Sequence, residues 1–426
     1  MTPSVRRAVV GLVLGSLVAV GCSPADPGVS GATTTTATTV ASGEFALSVA
    51  GGHGSGTYRA GSTVHVWSSV STTDEVADPW AGDAALLAEP EEWHTSFVMP
   101  DRDVSLAANS TGQSLQLRTE TFTGATSVPK TVRYFFPPQM RGLVVFSHGT
   151  GGNSGFIEAT ESYPIALALA AKGYGVVSTE AEESAAGDLN GDGKERWDTR
   201  AVPNNVDLGN LEALFDDFEA QGLISAGTPK FALGMSAGGS FSHFLGTVGA
   251  TAVAPRFAQL RFNAVVGYCS DATASRSATT STTPSAWFMC GAEDNPEVSN
   301  AEARANEATL RGRGIPTDYV EHPPSPLYDE RFTRIEGIDA ATSAAMAGEL
   351  RSAGYVDASG FITVDGDQIA AAVLADPAAF PTISSQPEIG AVKTQVKAMR
   401  AEHAMYADYT RRNIEFFERF NPDRVP

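Results

Sequence analysis

Ser236 sits at the centre of Gly234-Met235-Ser236-Ala237-Gly238, with a glycine two residues to either side. The apolar run 230–233 leads into it, and the small-residue stretch 237–246 reads as a helix. A strand, a sharp turn and a helix with serine at the apex form the layout that exposes a nucleophilic hydroxyl. The strained turn pushes Oγ outward, and Cβ atoms at the flanking positions would collide with backbone. The helix directs its N-terminal dipole at the oxyanion formed when such a serine attacks a carbonyl. That chemistry is acyl transfer, and it needs a base, an acid to orient the base, and donors for the oxyanion. An ordinary Gly-rich turn has the same pentapeptide, so the partners decide.

Upstream, residues 142–152 read as a buried strand entering the Gly-rich loop His148-Gly149-Thr150-Gly151-Gly152. Such a loop can turn one N–H toward the oxyanion, and the Thr150 N–H is expected to share that task with the Ala237 N–H. His148 comes too early in the chain for the base; orienting this loop through a hydrogen bond is its expected role. Downstream, residues 285–295 read as a buried strand ending in Gly-x-x-Asp, which puts Asp294 where an imidazole finds its orienting carboxylate. Glu293 is the competing acid.

Two histidines compete for the base. His322 follows one amphipathic helix (300–311) and a short strand (317–321), but Pro323-Pro324 come next and no closing helix follows. His403 follows an alternating stretch, 394–401, that could serve as the last strand. It precedes 409–420, where Ile414, Phe417 and Phe420 recur at helical spacing. A base in the loop before the final helix favours His403, with His322 as the alternative. Residues 323–392 then form an insertion with its own helices.

The chain order Ser…Asp…His, the His-Gly-Thr-Gly-Gly loop, Gly-Met-Ser-Ala-Gly-Gly and Gly-Ala-Glu-Asp together resemble the α/β-hydrolase superfamily, specifically dienelactone-hydrolase-like and polyhydroxyalkanoate-depolymerase-like esterases. The likeness spans roughly 113–426. It implies an α/β fold, a mostly parallel sheet with helices on both faces. It also implies hydrolysis of carboxylic esters through a Ser236–His403–Asp294 triad and an acyl-enzyme, without a cofactor. The long Asp-, Ala- and Gly-rich stretch between His322 and the last helix departs from the pattern.

Ahead of this core, Arg6-Arg7 precede the apolar run 8–20, which ends at Ala19-Val20-Gly21-Cys22. A basic start, a short apolar core and small residues before a cysteine resemble a bacterial lipoprotein signal, with cleavage leaving Cys22 lipidated. The run is too short to span a bilayer. Residues 23–44 form a Ser/Thr-rich tether. Residues 45–110 read as a separate small all-β unit: strands at 45–49 and 63–67, with Gly51–Gly56 as the turn between them. Its Gly54-Ser55-Gly56-Thr57-Tyr58, Trp80-Ala81-Gly82-Asp83 and Met99-Pro100-Asp101-Arg102-Asp103-Val104 resemble a repeat module of bacterial extracellular surface proteins. The catalytic region is expected to be 111–426, the protein an exported lipoprotein at the cell surface or the periplasmic side, monomeric, and in contact with membrane only through its lipid.

A net charge of −20, without a basic cluster past the signal, argues against nucleic acid and against charge-driven adhesion to anionic lipid. Besides Cys22 only Cys269 and Cys290 are present, at the ends of apolar runs expected to be neighbouring strands, either as a disulfide or as two buried thiols. Asp188, Asn190 and Asp192 open a D-x-N-x-D-G calcium-type loop, but its twelfth position is Thr199, so an Asx-rich turn explains it as well as a structural calcium ion. Two functional classes remain: a surface-tethered serine ester hydrolase, or a catalytically inactive binding or adhesive protein on the same scaffold.

Overall fold

The computed structural model describes residues 43–70, 73–248, 255–257, 260–292, 294–386 and 389–423. The signal segment, Cys22, most of the tether and Glu293 lie outside them.

The centre is an eight-stranded mixed sheet: β1 (Arg118–Thr123), β2 (Pro129–Phe135), β3 (Gly142–Ser147), β4 (Tyr174–Ser178), β5 (Lys230–Met235), β6 (Ala264–Tyr268), β7 (Ser285–Cys290) and β8 (Thr317–His322). Their order is β1-β2-β4-β3-β5-β6-β7-β8, with only β2 running against the rest. β3 to β7 are buried along their whole length apart from the last residue of β5, which is why they read as unbroken apolar runs rather than alternating ones. Alternate side chains nevertheless serve different faces. Val144, Phe146 and Leu233 pack on one side with α1 (Tyr163–Ala171) and the closing helix. Leu143, Val145 and Ala232 pack on the other with α2 (Val206–Ala220) and α3 (Ala237–Leu245). α4 (Asn300–Gly312), capped by Ser299, links β7 to β8.

After β8 come α5 (Ala340–Ser352), α6 (Gly366–Ala375) and α7 (Ile389–Met399), whose Met346, Leu350, Ile369, Val396 and Met399 form a cluster of their own. The stretch 394–401 is thus no strand. In α7 Val392, Gln395, Val396 and Met399 are all buried, a spacing of three and four that only a helix puts on one face. The last strand of the sheet is β8. The closing helix, α8 (Thr410–Arg419), then buries Ile414, Phe416 and Phe417 against the sheet.

The N-terminal strands differ from the expected hairpin. Glu44–Ala50 pairs with Gly56–Arg59 and, in parallel, with Val104–Ala107; Thr63–Ser68 pairs with Gly52–His53 and His94–Val98. The Gly-rich stretch is not one turn, because Gly51 (φ 65) and Gly54 (φ 107) bend the chain twice within it. Leu47, Val66, Trp80, Phe97 and Leu106 fill a core under these strands.

These strands also hold the closing helix. Both carboxylate oxygens of buried Glu92 accept the N–H groups of Arg411 and Arg412 (3.2 and 2.9 Å), in the first turn of α8. His94 Nδ1 donates to Asp408 Oδ1 at 2.7 Å, and the Arg334 guanidinium lies 3.7 Å from the centre of the Trp93 ring. Among the described residues no helix is long and apolar enough to cross a membrane.

Candidate active site

β5 delivers Ser236 to the sheet's carboxyl edge with φ 57 and ψ −122, a left-handed conformation that L-residues avoid. Its N–H is tied to the Tyr268 carbonyl of β6 at 2.9 Å, which helps hold the strained residue in place. The flanking glycines answer to close backbone approach. A Cβ on Gly238 would fall on the carbonyl of Ser147, and one on Gly234 would fall on the carbonyl of Gly238. Ser236 is half-buried, and no hydrogen bond engages its hydroxyl among the described residues. Ala237 opens α3, so its N–H points from the helix start toward the serine side.

The loop after β3 lies against the serine: a Cβ on Gly149 would come 3.4 Å from Ser236 Cβ. His148 holds this loop from beneath. Its Nδ1 faces the Gly149 carbonyl at 2.7 Å and its Nε2 faces the Ala181 N–H at 3.1 Å. Those neighbours demand a proton on Nδ1 and a lone pair on Nε2, so the ring is the neutral Nδ1–H tautomer. Burial pushes its pKa down to about 4. The Trp197 indole N–H donates to the His148 carbonyl at 2.9 Å and the ring stacks on Phe241. Thr150, the next residue but one, is exposed at the site's rim.

Asp294 and His403 meet past the end of β7. Asp294 Oδ1 accepts the backbone N–H of His403 at 2.7 Å, and the Ala292 N–H donates to the Ala401 carbonyl at 3.0 Å. Ala401 turns the chain out of α7 with φ 56. The His403 ring is not hydrogen-bonded to Asp294 or Ser236. One of its nitrogens and the Sγ atoms of Cys269 and Cys290 lie within 4.8 Å of one another, and Nδ1 is buried without a partner. Cys269 follows Tyr268, the residue whose carbonyl receives the Ser236 N–H.

His322 is placed quite differently. It is 3% exposed, its Nε2 faces the Ala398 carbonyl and its Nδ1 the Tyr409 hydroxyl, both at 3.0 Å, and Tyr406 stacks on it at 4.0 Å. Nε2 must donate there and Nδ1 accept, which leaves no free lone pair for a substrate proton.

Cys269 and Cys290 are buried free thiols at the ends of adjacent strands β6 and β7. The neighbouring Cys269 thiol and His403 draw the Cys290 thiol below its usual range, whereas burial pushes Cys269 well up. Sequence reasoning placed both cysteines but missed their company with His403. The Cys spacing signalled strand ends, and nothing in it signalled which loop returns over them.

The Asx-rich loop is satisfied by its own main chain. Asp188 accepts the N–H groups of Gly191 and Gly193 (both 2.8 Å), Asn190 accepts that of Asp192, and Asp192 accepts that of Lys194. Beside it a cavity of about 660 Å³ opens at the start of α3, lined by Ala237, Ser240, Ala274, Trp197, Asp198 and Asp207. Asp207 accepts the N–H groups of Glu182 and Asp198, yet burial still lifts its pKa to about 7.

No family model matches this chain, and no curated protein matches it. Among solved structures, a putative carboxylesterase from Lactobacillus plantarum is 18% identical and superposes with a TM-score of 0.36 over 48% of this chain and 85% of its own. A second carboxylesterase from Lactobacillus plantarum is 16% identical with a TM-score of 0.37, over 56% and 98%. Brefeldin A esterase, a bacterial homologue of human hormone-sensitive lipase, is 16% identical with a TM-score of 0.33, over 48% and 68%. Likeness of this degree is partial and says nothing about chemistry.

Proposed function

We propose that the protein is a serine hydrolase of carboxylic esters. The observation that carries the reading is Ser236 itself: a half-buried serine at φ 57 on a strand-to-helix turn, its hydroxyl without a hydrogen-bond partner among the described residues. Such strain persists only where surrounding structure imposes it, and the next residue, Ala237, lines a cavity of about 660 Å³. Ser236 Oγ attacks the ester carbonyl carbon while His403 takes its proton. The Ala237 and Thr150 N–H groups hold the oxyanion; His403 returns the proton to the leaving alcohol, and water then releases the acyl group from Ser236 by the same route. Asp294 orients His403. That role asks the imidazole to swing from the thiols toward Asp294 and Ser236, a tightening ordinary for sites without substrate. The pairing of both His322 nitrogens in the core supports His403 over it.

In this reading Cys22 carries the lipid that holds a monomeric enzyme at the bacterial surface, the tether and the N-terminal β unit set it off from the membrane, and residues 323–392 are an insertion. Polyesters, acylated carbohydrates and small lipid-like esters are the substrate classes that fit. A panel of p-nitrophenyl esters of increasing acyl length, assayed with the full chain, tests the function. Turnover abolished by Ser236→Ala is the expected result. A folded protein inert across the panel would leave a binding protein on this scaffold.

A further inference from the structure

We propose that Cys269, Cys290 and His403 form a site for a thiophilic divalent cation of the zinc class, and that filling it withdraws His403 from ester hydrolysis. The inhibitory half of this inference rests on His403 being the base.

The three donors sit on separate, fixed pieces of the fold. Cys269 ends β6 and its N–H donates to the Phe288 carbonyl of β7 at 2.9 Å. Cys290 ends β7, with its carbonyl held by the Asn300 side-chain amide at 2.9 Å. The main chain of His403 is pinned by Asp294 at 2.7 Å. Their ligand atoms lie mutually within 4.8 Å. Three points so spaced fit around a centre no more than about 2.8 Å from any of them, against Zn–S and Zn–N lengths of about 2.3 and 2.0–2.1 Å. A contraction of a few tenths of an ångström closes the site.

The donor chemistry agrees with the geometry. Two thiolates and an imidazole select zinc, cadmium or copper(I) over magnesium or calcium. Cys269 Sγ donates to the Ala404 carbonyl at 3.3 Å, and among the described residues buried His403 Nδ1 has no hydrogen-bond partner. Binding one M²⁺ forms two M–S bonds and one M–N bond. It breaks two S–H bonds and releases two protons to solvent, and the imidazole contributes a lone pair without losing a proton. Two thiolates neutralise the ion, so no net charge is buried. The fourth position is left to water. An imidazole whose lone pair is coordinated cannot accept the Ser236 proton.

The test is titration of the reduced, metal-stripped full chain with Cd²⁺, followed by thiolate-to-cadmium charge-transfer absorbance and, in parallel, by p-nitrophenyl acetate hydrolysis. One equivalent should saturate the absorbance and abolish hydrolysis together, and a chelator should restore it. Cys290→Ser and Cys269→Ser should each weaken binding by more than the roughly 10–100-fold lost when a mere supporting group is removed. His403→Ala should weaken it while leaving thiolate absorbance at high Cd²⁺. Absence of the band, its persistence at full affinity in both serine variants, or a saturated band with undiminished hydrolysis would each overturn the proposal. A chain that binds Cd²⁺ as expected yet never hydrolyses esters would refute the esterase reading and, with it, the inhibitory half alone.

Discussion

Asp294 holds His403 by the main chain and not by the ring: its Oδ1 accepts the His403 backbone N–H at 2.7 Å while the imidazole faces two cysteine sulfurs. The carboxylate therefore positions the loop that bears His403, and no hydrogen bond joins it to the ring. Removing either partner separates the two roles. Asp294→Asn, which keeps an acceptor for the N–H, should retain the fold while lowering kcat by about 10⁴-fold, as expected when an orienting acid is lost. Near-normal kcat in that variant would disqualify Asp294.

Ser236→Ala removes one hydroxyl without hydrogen-bond partners, so the strained turn should survive. Ester turnover should fall by roughly 10³-fold or more with an unchanged circular dichroism spectrum and Tm. Residual activity close to that of the unaltered protein would move the nucleophile elsewhere.

The two histidines should behave oppositely. His403→Ala should cost about 10³–10⁴ in kcat with little loss of stability. His322→Ala empties a buried, stacked site and leaves the Tyr409 hydroxyl and the Ala398 carbonyl unpaired. It should cost about 3 kcal/mol of stability while the folded fraction keeps its kcat. Urea unfolding beside steady-state kinetics reads both, and a reversal of the pattern would make His322 the base.

Acid should destabilise the protein well above the carboxylate range. Burial lowers His148 and His65 to about 4 and His243 to about 3, and it lowers His322 as well. Between pH 6.5 and 4 His148, His65 and His243 take up protons chiefly in the unfolded chain, and His322 is displaced in the same direction, so stability rises with pH there. Asp207, raised to about 7, and Glu92, also raised, bind protons preferentially in the folded chain and oppose this. Four against two leaves a net loss on acidification, each unopposed proton contributing about 1.4 kcal/mol per pH unit. Tm measured from pH 6.5 to 4 should fall; a flat profile would contradict the buried, neutral state of these rings.

Anchoring is tested on the cell. With Cys22 acylated the protein should fractionate with membranes, and Cys22→Ser should leave it unprocessed or release it. Native protein found wholly in the medium without an acyl mass at its N-terminus would refute the anchor.

Much of the core could be read from sequence because its determinants are local. The runs at 142–147, 230–235 and 285–290 are apolar apart from Ser147, Lys230 and Ser285 at their ends, and Gly234 and Gly238 announce a turn only glycine can flank. The stretch 394–401 misled because its polar and apolar residues alternate over a few positions, while the governing period shows only from Val392 to Met399. The fate of His322 was hidden for another reason. Its partners Ala398 and Tyr409 are distant in sequence, and nothing near His322 marks them. The company of His403 with two thiols is equally non-local.

Glu92 and His94 have a consequence in time. They anchor the residues just before and within the first turn of α8, and their bonds to Asp408, Arg411 and Arg412 span 314 to 320 residues. A ribosome releases the N-terminal strands first and the closing helix last. The earliest residues of the described structure must therefore wait for the latest before either is complete, and contacts so distant along the chain form slowly. Until then the polypeptide has no finished state to lock into.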